Sequence, residues 1–442
     1  MKKITNIILI IFFFLLSINK VLSFEIIRDV ELEKFTEKLV SELLNNSDIK
    51  YDDLNYYFIN SNEINAFVTG GDNLFINTEI IIAADDYREY AAVLAHELSH
   101  ILGGHIFRTK QEINKISSRA FPVYVLGVLG ILGGASDAGL ATLMVGSASI
   151  QDSYTYYSRN QEAAADQAAV KLLCRNKIDG KFFLNFLDKI EMNIPYSPDQ
   201  SSYRSTHPRI FERKTWVASS LNQYNGCKYS RDENLQNEFD LLKAKIFGFT
   251  HSNNETKAVY NSDTTKDKYA LAVTSYLSGD HDTSIELLKR LISENPNNPF
   301  FRELLGEIYF SKHDYESAIN EQAISIELIE SDNDLYLMML GNYYLANDNQ
   351  NDYFKSIELL KKSLRINTKN TYSWYLLAKA YNETGNLPLA QYCTAERHYL
   401  TRDYAMAYQF IKKSIKNIEK NTTEWYRAND LLNIIENNLD RG

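Results

Sequence analysis

In the C-terminal half of this 442-residue chain a small residue returns at one fixed interval. Ser284 and Ala318 are 34 positions apart, and so are Ser356 and Ala390. Gly279, His313 and Gly385 each stand five residues before one of these, and Tyr276, Tyr309, Tyr344 and Tyr381 precede the turns. A period of this length with constant turn positions marks helix pairs stacked into a solenoid, because a single pair cannot bury its apolar face alone. The step from Ala318 to Ser356 is 38, which predicts a four-residue insertion near 347–351. Asn295-Pro296-Asn297-Asn298 closes one unit. Such an array offers a concave surface to extended segments of partners; the alternative is that it only stabilises what precedes it.

The second constraint lies upstream, in His96-Glu97-Leu98-Ser99-His100. Positions four apart share a helix face, so His96 and His100 can offer two imidazoles to one metal ion. Glu97 is placed to take a proton from a water on that ion, and zinc suits this donor set. Asp86 and Glu89 read as a capping box. Tyr90, Leu94, Leu98, Ile101 and Leu102 form an apolar stripe opposite the histidines, which predicts that the histidines line a cleft.

A helix over 161–174, opened by a second box at Ser158-Arg159-Asn160-Gln161, carries Glu162 and Asp166 on one face. Ala163, Ala164, Ala165, Ala168 and Ala169 make it thin enough for close approach to another helix. Glu162 is therefore expected as the third ligand, and Asp166 as the acceptor that fixes a histidine tautomer. Ser205-Thr206-His207-Pro208 suits a helix entrance. From there His207 reaches the metal as a fourth ligand or bonds the substrate oxyanion, while Arg213 holds Asp166 or Glu162. His105 points away from the histidine pair on a continued helix and is set aside as a structural or surface residue.

Alternation at 55–58, 64–69 and 74–77, with Gly70-Gly71-Asp72 between the last two, predicts a small antiparallel sheet. Ala66, Phe67 and Val68 form its expected edge, which either pairs with an extended substrate or is an ordinary hairpin. Residues 1–23 have Lys2 and Lys3 before a ten-residue apolar run, shorter than the ~20 residues a membrane span needs. They read as a signal peptide cleaved near Ser23, the alternative being a retained anchor. Residues 121–150 are apolar, but Gly133-Gly134-Ala135-Ser136-Asp137 splits them into two pieces too short to span. A helical hairpin that acts as a lid, or touches a membrane surface, is expected there.

Residues 24–218 are read as one domain, 219–267 as a linker with one helix over 235–247, and 268–442 as the repeats. Cys174 and Cys227 either pair or remain buried thiols with Cys393; no C-x-x-C is present to build a cysteine metal site. A net charge of −10 gives no electrostatic reason to expect nucleic acid.

His96-Glu97-x-x-His100, Glu162-x-x-x-Asp166 and His207-Pro208, in this order, resemble the gluzincin-type zinc peptidases related to the prenyl-protein (CAAX) proteases. The resemblance extends to a branch of exported members that end in tetratricopeptide repeats. It implies a mainly α fold: a zincin-type α+β metallopeptidase domain followed by an α-solenoid. It implies one Zn²⁺ per chain on His96, His100 and Glu162, with Glu97 as general base and His207 and Asp166 completing the catalytic set. It further implies a periplasmic endopeptidase in outer-membrane protein quality control, whose repeats dock the barrel-assembly machinery or its clients. The alternative is a chaperone or adaptor whose peptidase is latent, with His207 occupying the metal's open position.

Overall fold

The computed structural model describes residues 25–45, 54–69, 73–103, 159–193, 207, 210–329 and 331–439. The expected leader, Gly70-Gly71-Asp72, His105, the apolar stretch 121–150, Ser158, Ser205, Thr206 and Pro208 lie outside them. Among the described residues no helix is long and apolar enough to cross a membrane.

The N-terminal unit begins with strand β1 (Glu25–Ile27) and helix α1 (Val30–Leu43), whose Asp29 side chain accepts from the Leu32 amide. Three strands follow: β2 (Asn55–Asn60), β3 (Ala66–Thr69) and β4 (Asn73–Asn77). The sheet runs β1-β2-β4-β3. It is mixed, which corrects the antiparallel expectation: β2 pairs with β4 in parallel, Asn55 opposite Asn73, while β1–β2 and β3–β4 are antiparallel. Alternation in a sequence fixes which face a side chain takes but not the direction of the neighbouring strand. β1, only three residues long, carries no such alternation at all.

One face of the sheet sends Phe58, Ala66, Val68, Leu74 and Ile76 into the main core, and the other gathers Tyr57, Phe67 and Phe75 in a stack. After the short α2 (Thr78–Ala83) comes α3 (Tyr87–Leu102), which carries the histidine pair. Asp86 caps it by accepting from the Arg88 amide at 3.0 Å. The expected reciprocal box is not formed, because Glu89 reaches the amide of Asp85 instead. Every residue of α3 from Tyr87 to Ile101 is buried, so its two faces are both internal, one in the core and one at the site; only Leu102, expected in the stripe, is exposed.

Helices α4 (Arg159–Arg175) and α5 (Lys181–Asn193) pack on α3, and α6 (Ile210–Gln223) packs in turn on α4 and α5. Cys174, on the last turn of α4, is bonded to Cys227 beyond α6, while Cys393 is a buried free thiol. The chain then forms α7 (Glu233–Thr250), α8 (Asn253–Val259) and α9 (Thr265–Leu277). Where a linker was expected, α7 sends Leu235, Phe239, Leu242 and Ile246 into the N-terminal core. Its other side meets α9 so closely that a Cβ on Gly248 would lie 2.7 Å from the Ala270 carbonyl oxygen.

From α9 the chain continues as antiparallel pairs through α10 (His281–Glu294), α11 (Pro299–Ser311), α12 (Tyr315–Leu328), α13 (Asp334–Ala346), α14 (Gln350–Ile366), α15 (Thr371–Glu383), α16 (Leu387–Leu400), α17 (Tyr404–Asn417) and α18 (Thr423–Leu439). Ser284, Ala318 and Ser356 are fully buried, and Ala390 nearly so. Two of them also hydrogen-bond the facing helix: Ser284 donates to the Ala272 carbonyl at 2.6 Å and Ser356 to that of Gly341 at 2.7 Å. The turn position five residues earlier takes positive φ in Gly279 (81°), His313 (62°) and Gly385 (76°). The insertion is absorbed as extra helix: α14 has 17 residues where α10 and α12 have 14.

A buried charge cluster fastens the solenoid to the N-terminal unit. Lys245 of α7 is surrounded by Asp29, Glu31 and Glu303 of α11, and Tyr269 of α9 donates to Glu31 at 2.8 Å. Nearby, Val30 packs with Leu335 and Tyr336 of α13. Replacing Gly248 by Ala should therefore destabilise the fold by about 1–3 kcal/mol, although alanine is the better helix former. Thermal unfolding should show a Tm lowered by several degrees; a raised Tm would mean that α7 and α9 can separate without loss.

Candidate metal centre

The site is assembled by three helices and one strand. α3 supplies His96, Glu97 and His100; α4 supplies Glu162 and Asp166; α6 supplies Arg213; β3 supplies the Ala66 carbonyl. Ala165 and Ala169, both fully buried, let α4 lie close to α3, where Ala92 and Ala95 are equally buried. A larger residue at any of these would hold the Glu162 carboxylate away from the histidines.

Four residues, His96, His100, Glu162 and His207, bring one ligand atom each within 4.8 Å of the others. His100 Nε2 lies 3.1 Å from His96 Nε2 and 3.2 Å from Glu162 Oε1. His207 Nδ1 lies 3.3 Å from His96 Nε2 and 3.2 Å from Glu162 Oε1. Ligands about 2.0–2.1 Å from a tetrahedral ion are separated by about 3.3 Å, the spacing of these four neighbouring pairs.

The wiring behind the ligands is consistent with this. His96 Nδ1 sits 2.9 Å from Asp166 Oδ1, which leaves Nε2 at the vertex. Arg213 donates through Nη2 to the same Asp166 oxygen at 2.8 Å, and its Nε is 3.4 Å from Glu162 Oε2. Phe183 of α5 lies against both His96 and Arg213 and excludes water from this side; sequence reading missed it, and its only signal was the amphipathic stretch 181–193. Glu97 Oε1 is 3.2 Å from His207 Nε2, and that nitrogen is also 3.2 Å from the Ala66 carbonyl oxygen. Phe67 points to the opposite face of the sheet, among Tyr57 and Phe75, while Val68 is in the core.

Charge and burial point to the same occupant. Glu97, Glu162, Asp166 and Arg213 are all at most 2% exposed. Three carboxyl groups face one guanidinium and the His207 imidazole, an acidic excess of the kind that a bound cation balances. Glu97 Oε2 is buried without a hydrogen-bond donor, an arrangement that costs energy unless a positive group faces it. Burial, reinforced by Arg213, holds His96 well below the usual imidazole range, and burial also lowers His100, so both are neutral and able to donate a lone pair. Against its own burial, His207 is pushed up to about 10 by Glu162 and Glu97, which measures how much negative charge the site concentrates.

Of the residues predicted from sequence, His96, Glu97, His100, Glu162, Asp166, His207, Arg213 and Ala66 come together here. The expected open cleft is not seen: the histidines are at most 2% exposed.

Residues 30–218 match Peptidase family M48. The beta-barrel assembly-enhancing protease of Yersinia pestis is 25% identical over 364 residues, covering 80% of this chain and 73% of that one. That of Escherichia coli (strain K12) is 24% identical over 367 residues with the same coverage. The putative beta-barrel assembly-enhancing protease of Vibrio cholerae is 21% identical over 410 residues, 89% of this chain and 82% of that one. The similarity to Peptidase family M48 thus covers residues 30–218, in a chain similar along four-fifths of its length to the beta-barrel assembly-enhancing proteases.

Proposed function

We propose that this chain is a zinc-dependent endopeptidase of the bacterial periplasm that cleaves misassembled outer-membrane proteins and assists barrel assembly. The observation that carries the reading is the convergence of His96, His100 and Glu162 with His207, which Glu97 contacts. The similarity to beta-barrel assembly-enhancing proteases supports the biological setting. The helix pairs support a docking role toward barrel-assembly machinery or its clients.

His96, His100 and Glu162 would hold the ion, and Asp166 with Arg213 would keep the His96 ring in the tautomer that binds it. Zinc so held supplies Lewis acidity to a water and to the scissile carbonyl. Glu97 takes the proton from the attacking water and delivers it to the leaving amine. The Ala66 carbonyl on β3 accepts a hydrogen bond from a substrate amide laid along that strand, with Phe67 and Val68 continuing the register. For this to happen His207 must leave, since it now lies against His96, Glu162, Glu97 and the Ala66 carbonyl at once. This arrangement favours, as a second reading, a chaperone or adaptor with a latent peptidase.

Glu97→Gln should keep one zinc per chain by elemental analysis and lower casein hydrolysis by about 10²–10⁴-fold, the usual contribution of a general base. Activity near wild type in zinc-loaded Glu97→Gln would refute the assignment. The same variant separates the two readings: failure to restore outer-membrane protein assembly in cells lacking the chain supports the peptidase, and full restoration supports the adaptor. Asp166→Asn should weaken zinc binding about 10–100-fold in competition with a chromophoric chelator. Unchanged affinity would show that Asp166 does not orient His96.

A further inference from the structure

Between β1 and the inner side of the solenoid lies a cavity of about 680 Å³, remote from the metal centre. Its floor is Ile26 and Ile27 of β1, and its far wall is built by Glu303, Glu307 and Phe310 of α11 and by Met338 and Tyr343 of α13. The geometry points to a binding site for an extended polypeptide segment that lies beside β1 and places a lysine or arginine side chain against Glu303 and Glu307.

Charge is the first argument. Asp29, Glu303 and Glu307 line the cavity together with Arg28 and Lys245, while Glu31, Glu33 and Asp334 stand behind those two bases. Arg28 is engaged by Glu33 and Asp334, and Lys245 by Asp29, Glu31 and Glu303, so among the described residues Glu307 has no cation within ion-pair distance. Its neighbour Tyr276 donates one hydrogen bond to it at 3.1 Å. Burial drives the Glu303 carboxyl up to about 8 and raises Glu307 as well, so both hold their protons more tightly than exposed carboxyls do, and a cation brought beside them would draw those protons off.

The second argument is independent of the carboxylates. Tyr343 lines the cavity and is 2% exposed, and its hydroxyl has no hydrogen-bond partner among the described residues. A buried phenol without a partner costs about 1–3 kcal/mol, which an incoming donor or acceptor recovers. Its ring stacks on Phe310 with centroids 4.6 Å apart, so an ammonium or guanidinium entering here meets aromatic π-density as well as carboxylates. Met338 supplies a deformable apolar wall for the stem of the side chain. The extended form of the ligand follows from β1: it pairs with β2 on one side and, among the described residues, with no strand on the other.

The probe is the peptide acetyl-Thr-Val-Thr-Lys-Thr-Val-Thr-amide, labelled for fluorescence anisotropy and titrated with the full chain carrying Glu97→Gln so that nothing is cleaved. The expected result is saturable binding, at least tenfold weaker when glutamine replaces the peptide lysine. Adding Glu307→Gln to the protein should weaken the lysine peptide tenfold and leave the glutamine peptide unchanged, with zinc content unaltered. Tyr343→Phe, which removes one oxygen from the cavity wall, should weaken the lysine peptide severalfold and serves if Glu307→Gln unfolds. No binding of the lysine peptide, equal binding of both peptides, or affinity unmoved by either substitution would overturn the inference. These outcomes are read without catalysis, so they are independent of whether the metal centre hydrolyses peptides.

Discussion

The approach of α3 to α4 sets what the rest of this molecule can do. A zinc–ligand bond of about 2 Å leaves no slack, so Glu162 must be delivered to the histidine pair by backbones that nearly touch. Alanines on both helices allow it, and the Asp166–Arg213 pair fixes the rotation of α4 about its own axis. A buried ion pair of this kind adds little net stability, but removing one partner typically costs about 3–5 kcal/mol. Its contribution is geometric: it determines which nitrogen of His96 faces the vertex.

Much of this was legible in the sequence, because helical periodicity turns spacing into direction. His96 and His100 four apart, and Glu162 and Asp166 four apart, could be placed on helix faces from residue numbers alone. The repeat was legible for a related reason, since Ser284, Ala318, Ser356 and Ala390 stand where two helices of a pair cross and nothing bulky fits. Even the irregular step was visible, although not that α14 would take it up as added helix.

What stayed hidden depends on partners distant in the chain. The parallel pairing of β2 with β4 leaves no local trace, and neither does the short edge strand β1. α7 read as part of a linker because its exposed face is polar, yet its Leu235-Phe239-Leu242-Ile246 stripe completes the N-terminal core. Lys245, on the same helix, looks like a solvated residue in the sequence and is in fact the buried centre of the contact between the two halves. Because of that contact the candidate metal centre and the solenoid are parts of one packed body, and a ligand held against α11 and α13 would lie next to β1, the first strand of the N-terminal sheet.

The central claim is that two imidazoles and one carboxylate, with His207 in the remaining position at rest, surround a single zinc ion. X-ray absorption at the zinc edge of the isolated protein tests it most directly. The account predicts four nitrogen or oxygen neighbours at about 2.0–2.1 Å with the outer-shell scattering of three imidazoles. A sulfur neighbour at about 2.3 Å, or a shell of oxygens without imidazole scattering, would contradict it.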